Sequence, residues 1–315
     1  MTRIITNTDI AVREILEGNI VAVPTETVYG LAANALNENA VMKIFEAKER
    51  PVFNPIIVHI FSADDFEKYG KDIPDNVYKL ADKFSPGPIT YIVKKKNIIP
   101  DIVTSGNDSV GLRIPSHELF REVLKLSDMP VSAPSANRFG RISPTSAEDV
   151  LKELNGRVNF ILDGGRCSVG IESTVVSFLD NKVRILRHGF ITGEQIEKVT
   201  GKIYEENNAG IISPGLLKSH YAPVTPLYIS ENAGQVLKHS DRNLGLLDFS
   251  KYMDAGETAL NLFSDMRKLD EEKHEFIICM KVEDKGLGAA INERLEKASS
   301  GEINFKDGKI IIVNK

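Results

Sequence analysis

A polar turn between two apolar runs, residues 24–31 (PTETVYGL), most constrains the fold of this chain. The apolar run 20–23 precedes it and the small-residue run 31–35 follows it, which predicts two strands joined by this turn. Three hydroxyl side chains and one carboxylate fall within five of its residues. Pro24 fixes the backbone φ angle where the turn begins, and Gly30 has no side chain to keep another group away from the backbone. The turn is therefore either an ordinary polar connection or a surface that faces a polar ligand.

Composition and charge are those of an ordinary globular protein. The 315 residues suffice for two domains, and 42% of them are hydrophobic and 26% charged. The net charge of -5 argues against a protein that coats nucleic acid. Any polyanion that the protein handles should therefore be small.

The sequence predicts a cytoplasmic protein without membrane contact. No apolar run approaches the roughly 20 residues of a membrane-spanning helix, and the first residues lack the apolar core of a signal peptide. Cysteine usage agrees with this, because Cys167 and Cys279 are the only two and lie far apart. They offer neither a metal-ligand spacing nor a disulfide framework.

Strand and helix patterns alternate over the first two hundred residues, which indicates an α/β or α+β architecture. We expect Thr8 to cap a helix that continues to Leu16 and ends at Gly18. Further helices are predicted over residues 39–48, 63–84, 117–126, 147–154 and 194–199, and strands over 56–60, 89–93, 109–115, 171–176 and 183–187. The three lysines 94–96 are predicted to form a solvated strand end.

Four basic side chains are candidates for ligand binding, and each has a structural alternative. Lys48 and Arg50 end the helix 39–48, where the helix dipole favours cations whatever the function. His59 lies in an apolar strand, where a histidine is more often a core residue than a ligand. Arg113 lies in a buried strand and needs an anionic partner, which is either a structural carboxylate or an anionic substrate.

A long loop at residues 131–145 is rich in hydroxyl groups and contains Arg138 and Arg141. Hydroxyl, guanidinium and backbone N–H donors in one loop suit phosphate oxygens. The chain has neither the Walker pattern nor the dinucleotide-binding glycine pattern. The loop is thus suited to phosphate without resembling either of these nucleotide sites.

The remainder of the chain indicates a strap and a second domain. Residues 202–226 contain three prolines and Gly215 without clear periodicity, which predicts an extended, semi-rigid strap. Short strands over 227–229, 243–247 and 276–280 follow, with helices between them and a helix over 286–298. This pattern predicts a small α/β domain with a parallel sheet, Rossmann-like but without the glycine fingerprint.

Several motifs, in this order and at these spacings, resemble the signature blocks of the Sua5/YrdC/YciO family. They are residues 24–31 (PTETVYGL), 48–51 (KERP), 135–137 (SAN) and 173–176 (STVV). Further motifs resemble features found only in the long, Sua5-type members: the linker at 213–215 (SPG), 220–223 (HYAP) and 225–226 (TP), and the end of the C-terminal domain at 286–295. The match spans nearly the whole chain.

The resemblance implies a fold, a reaction and partners. The fold is α/β, with a YrdC-like twisted mixed-sheet catalytic domain at 1–201, an extended linker and active-site lid at 202–226, and a small Rossmann-like Sua5 domain at 227–315. The reaction condenses L-threonine, bicarbonate and ATP into threonylcarbamoyl-AMP and pyrophosphate, the first step of tRNA t6A biosynthesis. Mg²⁺ would be held largely by phosphate and water. The product would pass to a separate t6A transferase, and a weak contact with tRNA is a further expectation.

The resemblance also implies roles for individual residues. Lys48 and Arg50 are expected to stabilise the charge that develops between the α-phosphate and the leaving pyrophosphate. Arg113 is expected to pair with the carboxylate of L-threonine, while Glu26 orients a water, orients the threonine ammonium or pairs with Lys48. The residues expected to bind L-threonine are Thr27, His59, Arg113, Ala133 and Ser173. Those expected to bind ATP are Arg50, Asn54, Ser109, Ser135, Asn137, Ser143, Arg187 and Tyr221.

Two other functions compete with this expectation. A non-catalytic module of the same fold would bind structured RNA on a concave basic face without ATP turnover, which the overall acidity disfavours. A carbamoyl-transfer chemistry like that of hydrogenase-maturation proteins would require acylphosphatase and zinc-finger-like segments. This chain has neither the cysteines nor the extra length for them.

Overall fold

The computed structural model describes residues 1–204 and 220–315, which form two compact units. Among the described residues, the first unit consists of 1–139 and 143–204. The second consists of 140–142 and 220–315. Among the residues described, no helix combines the length and the apolar character needed to cross a membrane.

Short strands and helices alternate along the first unit, as the sequence predicts. Its strands are β1 (Arg3–Ile5), β2 (Val21–Val23), β3 (Gly30–Asn34), β4 (Val58–His59), β5 (Gly70–Lys71), β6 (Ile89–Lys95), β7 (Ser109–Arg113), β8 (Val131–Ser132), β9 (Phe160–Leu162), β10 (Thr174–Ser177) and β11 (Arg184–Arg187). Its helices are α1 (Thr8–Leu16), α2 (Glu38–Lys48), α3 (Phe66–Tyr69), α4 (Asp75–Phe84), α5 (Asp101–Thr104), α6 (Glu118–Ser127), α7 (Ala147–Leu154) and α8 (Gly193–Thr200).

These strands form one mixed sheet, which confirms the predicted architecture. The order is β1-β9-β2-β3-β8-β4-β7-β6-β10-β11, with β5 beside β6. In its middle, β4 runs parallel to β7 and antiparallel to β8, so that His59 lies opposite Arg113 on one side and Val131 on the other. The register therefore makes two of the predicted ligand-binding residues immediate neighbours.

Helices cover both faces of this sheet, because successive residues of its central strands belong to two different cores. Val21 and Val23 pack in one core with α1 and α6, whereas Ala22 and Leu31 pack in the other with α2, α4 and α7. A strand that is buried on both faces must be apolar throughout. This explains the continuous apolar run that precedes the polar turn.

Three local predictions are wrong. The side chain of Asn7, not Thr8, caps α1 by accepting from the Asp9 N–H at 2.8 Å, because Thr8 is already helical. The predicted helix 63–84 is interrupted at β5, which pairs with the end of β6. Lys95 is buried and pairs with Asp101, so residues 94–96 are not uniformly solvated.

The second unit contains the predicted small sheet. Its strands are β12 (Leu227–Ile229), β13 (Leu244–Leu247), β14 (Phe276–Cys279), β15 (Gly301–Lys306) and β16 (Lys309–Asn314), and its helices are α9 (Ala233–His239), α10 (Ala255–Glu271) and α11 (Leu287–Ala298). The order is β13-β14-β12-β15-β16, parallel except for the hairpin that joins β15 and β16. The Rossmann-like prediction is confirmed, with an added hairpin.

Candidate functional site

The polar turn between β2 and β3 is organised around the hydroxyl group of Thr25. This group donates to Val28 O at 2.7 Å and accepts from the Thr27 backbone N–H at 3.0 Å. The turn also binds the hydroxyl-rich loop, because the Tyr29 N–H donates to Pro144 O and the Ala136 N–H donates to Tyr29 O. The two segments singled out in the sequence therefore lie side by side.

Glu26 and Arg113 form a buried ion pair beside this turn. Arg113 Nη2 lies 2.6 Å from Glu26 Oε1 and donates to Thr27 Oγ1 at 3.0 Å, and the Ser116 N–H donates to Glu26 Oε2 at 3.1 Å. Arg113 is only 4% exposed. The structural carboxylate that the sequence left as one alternative is present, and Glu26 pairs with Arg113 and not with Lys48.

His59 lies beside Arg113 and contacts the ring of Phe120, with the ring centroids 5.1 Å apart. Its two ring nitrogens and Arg113 Nε are buried, and they form no hydrogen bond of normal geometry with the part of the chain that the structure describes. Burial, reinforced by the Arg113 guanidinium, holds the pKa of His59 well below its usual range. Because an unpaired buried donor is destabilising, Arg113 Nε marks a place where a polar ligand would bind, beside the His59 ring, which the Val131 backbone also contacts.

Lys48 lies at the end of α2 and is only 1% exposed. Its ammonium group donates to the main-chain carbonyls of Ser135 and Asn137 in the hydroxyl-rich loop. Burial, together with the nearby positive charge of Arg50, holds the pKa of this ammonium well below its usual range. The Lys48 side chain is therefore not a solvated charge that only caps its own helix; it binds the main chain of the hydroxyl-rich loop.

Arg50 lies close to Lys48 and binds the main chain of Asn54. Arg50 donates from Nε to Asn54 O at 3.2 Å and from Nη2 to Pro55 O at 2.9 Å. The side-chain amide of Asn54 is fully buried, and neither its oxygen nor its nitrogen has a hydrogen-bond partner among the described residues. An unpaired amide in a residue bound by Arg50 fits a ligand that is rich in oxygen atoms.

Ser173, Arg187 and Ser143 belong to a second hydrogen-bonded cluster at the start of β10. Arg187 donates from Nε and Nη2 to Ser173 O at 3.0 and 2.8 Å, and Ser173 Oγ lies 2.8 Å from Thr90 Oγ1. Ser143 Oγ donates to the buried carboxylate of Glu172. A residue predicted to bind ATP, Arg187, thus directly contacts one predicted to bind threonine, Ser173.

Other predicted residues take no part in these contacts. The Ala133 N–H donates to Ile57 O at 3.1 Å. Ser109 begins β7 opposite Lys94, at the other end of the strand from Arg113, and within the described ranges no hydrogen bond joins it to another predicted site residue.

Tyr221 lies in the second unit. Its ring centroid lies 4.1 Å from that of His220 and 5.5 Å from that of Phe263. Most of the predicted strap, residues 205–219 with the motif 213–215, lies outside the described residues.

Three contributors to the site were not predicted from the sequence. Thr25 organises the turn, and its position two residues before another threonine in a polar turn is a usable signal for such a side-chain bond. Thr90 lies inside a buried strand, and Glu172 lies just before one. Their patterns do not differ from those of ordinary polar residues, so only the folded contacts identify them.

The described residues contain no group of three or more His, Cys, Asp or Glu side chains that could hold a metal ion. Both cysteines are free, and burial raises the pKa of each thiol to about 12. The part of the site that the structure describes therefore offers a divalent cation no cluster of protein ligands.

Comparison with known proteins finds relatives for both units. Residues 13–189 match the Sua5/YciO/YrdC family described as Telomere recombination, and residues 191–300 match the family described as Threonylcarbamoyl-AMP synthase, C-terminal domain. The threonylcarbamoyl-AMP synthase of Pyrococcus abyssi is 39% identical over 93% of this chain and 94% of that protein, and that of Bacillus subtilis is 40% identical over 91% of each. The crystal structure of P. abyssi Sua5 complexed with L-threonine is 38% identical, covers 95% of this chain and 98% of that one, and superposes with a TM-score of 0.89.

Proposed function

The chain belongs to the Sua5/YrdC/YciO family, and we propose that it condenses L-threonine, bicarbonate and ATP into threonylcarbamoyl-AMP with release of pyrophosphate. It is an ATP-using transferase whose product serves tRNA t6A biosynthesis. In this proposal the product passes to a separate t6A transferase in the cytoplasm, and tRNA makes at most a weak contact with the protein.

The observation that supports this function most is the buried Glu26–Arg113 pair beside unpaired polar atoms. A free amino acid is a zwitterion, so it fits a pocket with one carboxylate and one guanidinium. The contacts to Glu26 and Thr27 use only Nη2 of Arg113, so Nε, which has no partner among the described residues, can donate to the threonine carboxylate, and neutral His59 can donate or accept beside it. Glu26 Oε1 and Thr27 Oγ1 then face the ammonium end.

The chemistry requires juxtaposition and charge stabilisation more than a dedicated nucleophile. The threonine nitrogen bonds to the bicarbonate carbon with loss of water, and an oxygen of the resulting carbamate attacks the α-phosphorus as pyrophosphate leaves. Lys48 and Arg50 stabilise the negative charge that moves to the leaving group. Asn54, Ser135, Asn137, Ser143 and Arg187 bind the nucleotide in this proposal, and Ser173 binds threonine beside Arg187.

The predicted lid role of residues 202–226, including Tyr221, stays a prediction. A lid would keep water from the labile carbamate and adenylate. Deletion of the strap should therefore abolish adenylate formation, whereas full activity without it would contradict the role.

Pyrophosphate release from ATP in the presence of Mg²⁺ and bicarbonate, with and without L-threonine, tests the function. We expect release that depends on threonine and is lost in Arg113→Ala. Arg3→Ala is the matched control, because Arg3 is exposed in β1 and its guanidinium contacts the ring of Phe160 and, among the described residues, none that is predicted to bind a substrate. Circular dichroism of both variants checks that they fold.

The rival function is a non-catalytic RNA-binding module of the same fold. It predicts tight RNA binding without release of pyrophosphate, an outcome that would reject the synthase.

Selectivity for threonine over serine should be modest, since burial of one methyl group contributes only about 1 kcal/mol.

A further inference from the structure

Glu49 separates the two cations Lys48 and Arg50 and has an unusual backbone conformation. After α2, the Arg50 N–H donates to Phe45 O at 2.9 Å and the Glu49 N–H donates to Glu46 O at 3.2 Å. Glu49 closes this turn with φ 54° and ψ 39°, in the left-handed region where glycine is preferred. A glutamate at such a position is strained, so its side chain should provide a compensating interaction.

The carboxylate of Glu49 binds two arginines from different segments. Its Oε2 lies 2.6 Å from Arg138 Nη2 and its Oε1 lies 2.7 Å from Arg157 Nη2. These contacts hold the pKa of Glu49 below its usual value, so the side chain is ionised at neutral pH. One carboxylate therefore joins the end of α2 to the hydroxyl-rich loop at Arg138 and to the turn before β9 at Arg157.

Arg138 lies between two residues that contact Lys48. The carbonyl of Asn137 accepts from the Lys48 ammonium, and the Phe139 N–H donates to Lys48 O at 2.9 Å. If the ammonium turns toward a phosphate group, it weakens its own bonds to this loop. The Glu49–Arg138 pair can then keep the loop in place.

We propose that Glu49 is a positioning residue for the nucleotide site. Its ion pairs with Arg138 and Arg157 hold the loop 135–139 against the end of α2, so that Lys48 and Arg50 keep their orientation toward the phosphates. The inference rests on the proposed function for the identity of the ligand, ATP.

Whether neutralising Glu49 tightens or weakens ATP binding distinguishes a positioning role from a purely electrostatic influence of its charge. A negative charge beside two cations weakens the attraction of a triphosphate, so neutralising Glu49 should tighten ATP binding if its charge acts only through space. Positioning predicts the opposite result, because the loop and the two cations lose their fixed arrangement.

The test compares Glu49→Gln with Glu46→Gln, which removes the same charge from an exposed position on the same helix. Among the described residues Glu46 forms no ion pair with Arg138 or Arg157. We would measure the Kd of a non-hydrolysable ATP analogue with Mg²⁺ by calorimetry, and hydrogen exchange of the amides 136–139. For Glu49→Gln we expect the Kd to rise about 3- to 10-fold, on the scale of one or two surface ion pairs, and exchange of the Phe139 amide to accelerate. For Glu46→Gln the Kd should stay at or below the wild-type value.

Glu49→Gly separates positioning from fold stability. Glycine relieves the left-handed strain but removes the ion pairs, so the melting temperature should be higher than in Glu49→Gln while the Kd rises by a similar factor. The Kd and KM for L-threonine should not change in either variant. As a single variant, Arg138→Gln should raise the Kd for the ATP analogue. In the double variant with Glu49→Gln, the added increase in this Kd should be smaller than that of Arg138→Gln by itself.

An unchanged or lower Kd in Glu49→Gln overturns the proposal, as does unchanged exchange at residues 136–139. A wild-type protein that does not bind the analogue overturns it as well. If the analogue binds and responds to Glu49→Gln but the wild type releases no threonine-dependent pyrophosphate, the synthase function fails and the positioning role stands.

Discussion

Arg113 and Lys48 are two buried cations of the same unit whose charges are compensated in different ways. Arg113 is paired with the carboxylate of Glu26, whereas Lys48 donates to main-chain carbonyls that carry no net charge. The surroundings of Arg113 are therefore close to neutral, and those of Lys48 keep a positive charge. A zwitterionic amino acid suits the first environment and a triphosphate suits the second.

The chemistry of the two side chains explains the difference. A guanidinium group has five N–H donors in a fixed fork, so Arg113 can bind Glu26 with one nitrogen and a ligand with another. A lysine ammonium is compact and reorients easily, and the carbonyls around Lys48 compete with phosphate less than a carboxylate would. Lys48 loses its charge more readily than an exposed lysine, because burial and Arg50 both lower its pKa.

The largest expected effect tests the positive environment. Lys48→Met keeps the unbranched side chain, one atom shorter, and removes its charge, so threonine-dependent pyrophosphate release should fall about 10²- to 10³-fold, the usual result of removing one transition-state donor. The Kd for L-threonine should change less than twofold. Lys43→Met on the same helix is the control, because Lys43 contacts Gly18 and Asn19 instead of the loop. A loss of less than tenfold would show that Lys48 does not stabilise the leaving group.

The second prediction tests the neutral environment. Glu26→Gln leaves the buried Arg113 without its counter-charge, and this should lower the free energy of unfolding by about 3 kcal/mol and raise the KM for L-threonine. Denaturant titration measures the first effect. The double variant Glu26→Gln with Arg113→Met should recover part of the stability, since no unpaired charge remains. Additive losses in the double variant would contradict the picture of a coupled pair.

The smallest effect concerns His59 and pH. Because the pKa of folded His59 lies well below the unfolded value of 6.5, the unfolded chain binds a proton that the folded chain does not as pH falls below 6.5. Stability should therefore decrease with falling pH, by at most about 1.4 kcal/mol per pH unit from this residue. His59→Gln should remove that slope between pH 6.5 and 5. An unchanged slope in His59→Gln would show that this ring does not titrate as described.

The sequence predicts the helices and strands whose determinants are local. The helix that ends at Lys48 follows from its apolar spacing, and the hairpin of β10 and β11 follows from two short apolar runs. The cap of α1 is wrong by one residue because Asn7 and Thr8 are both good caps. The hairpin of β15 and β16 was not predicted, although Asp307-Gly308 is a strong two-residue turn signal.

The candidate site is less predictable, since its pairings join distant parts of the chain. Glu26 and Arg113 are 87 positions apart, and each alone is only a costly buried charge. The sequence limits Arg113 to two kinds of partner, and the fold supplies one of them. The left-handed conformation of Glu49 has no sequence signal either, because it is a residue type that rarely occupies that region.

The position of the first strand has a consequence for how the protein is made. β1 pairs with β9, Arg3 opposite Phe160, and Thr2 Oγ1 donates to Val158 O at 2.6 Å. β1 therefore has no partner until β9 has been synthesised, and the sheet is complete only after Arg187. At typical rates of translation this takes roughly 10 to 40 s, during which the apolar strands β2 and β3 remain open to aggregation. A chain cut short before β9 would lose the partner of its first strand, so we expect cellular chaperones to bind the nascent first unit during this interval.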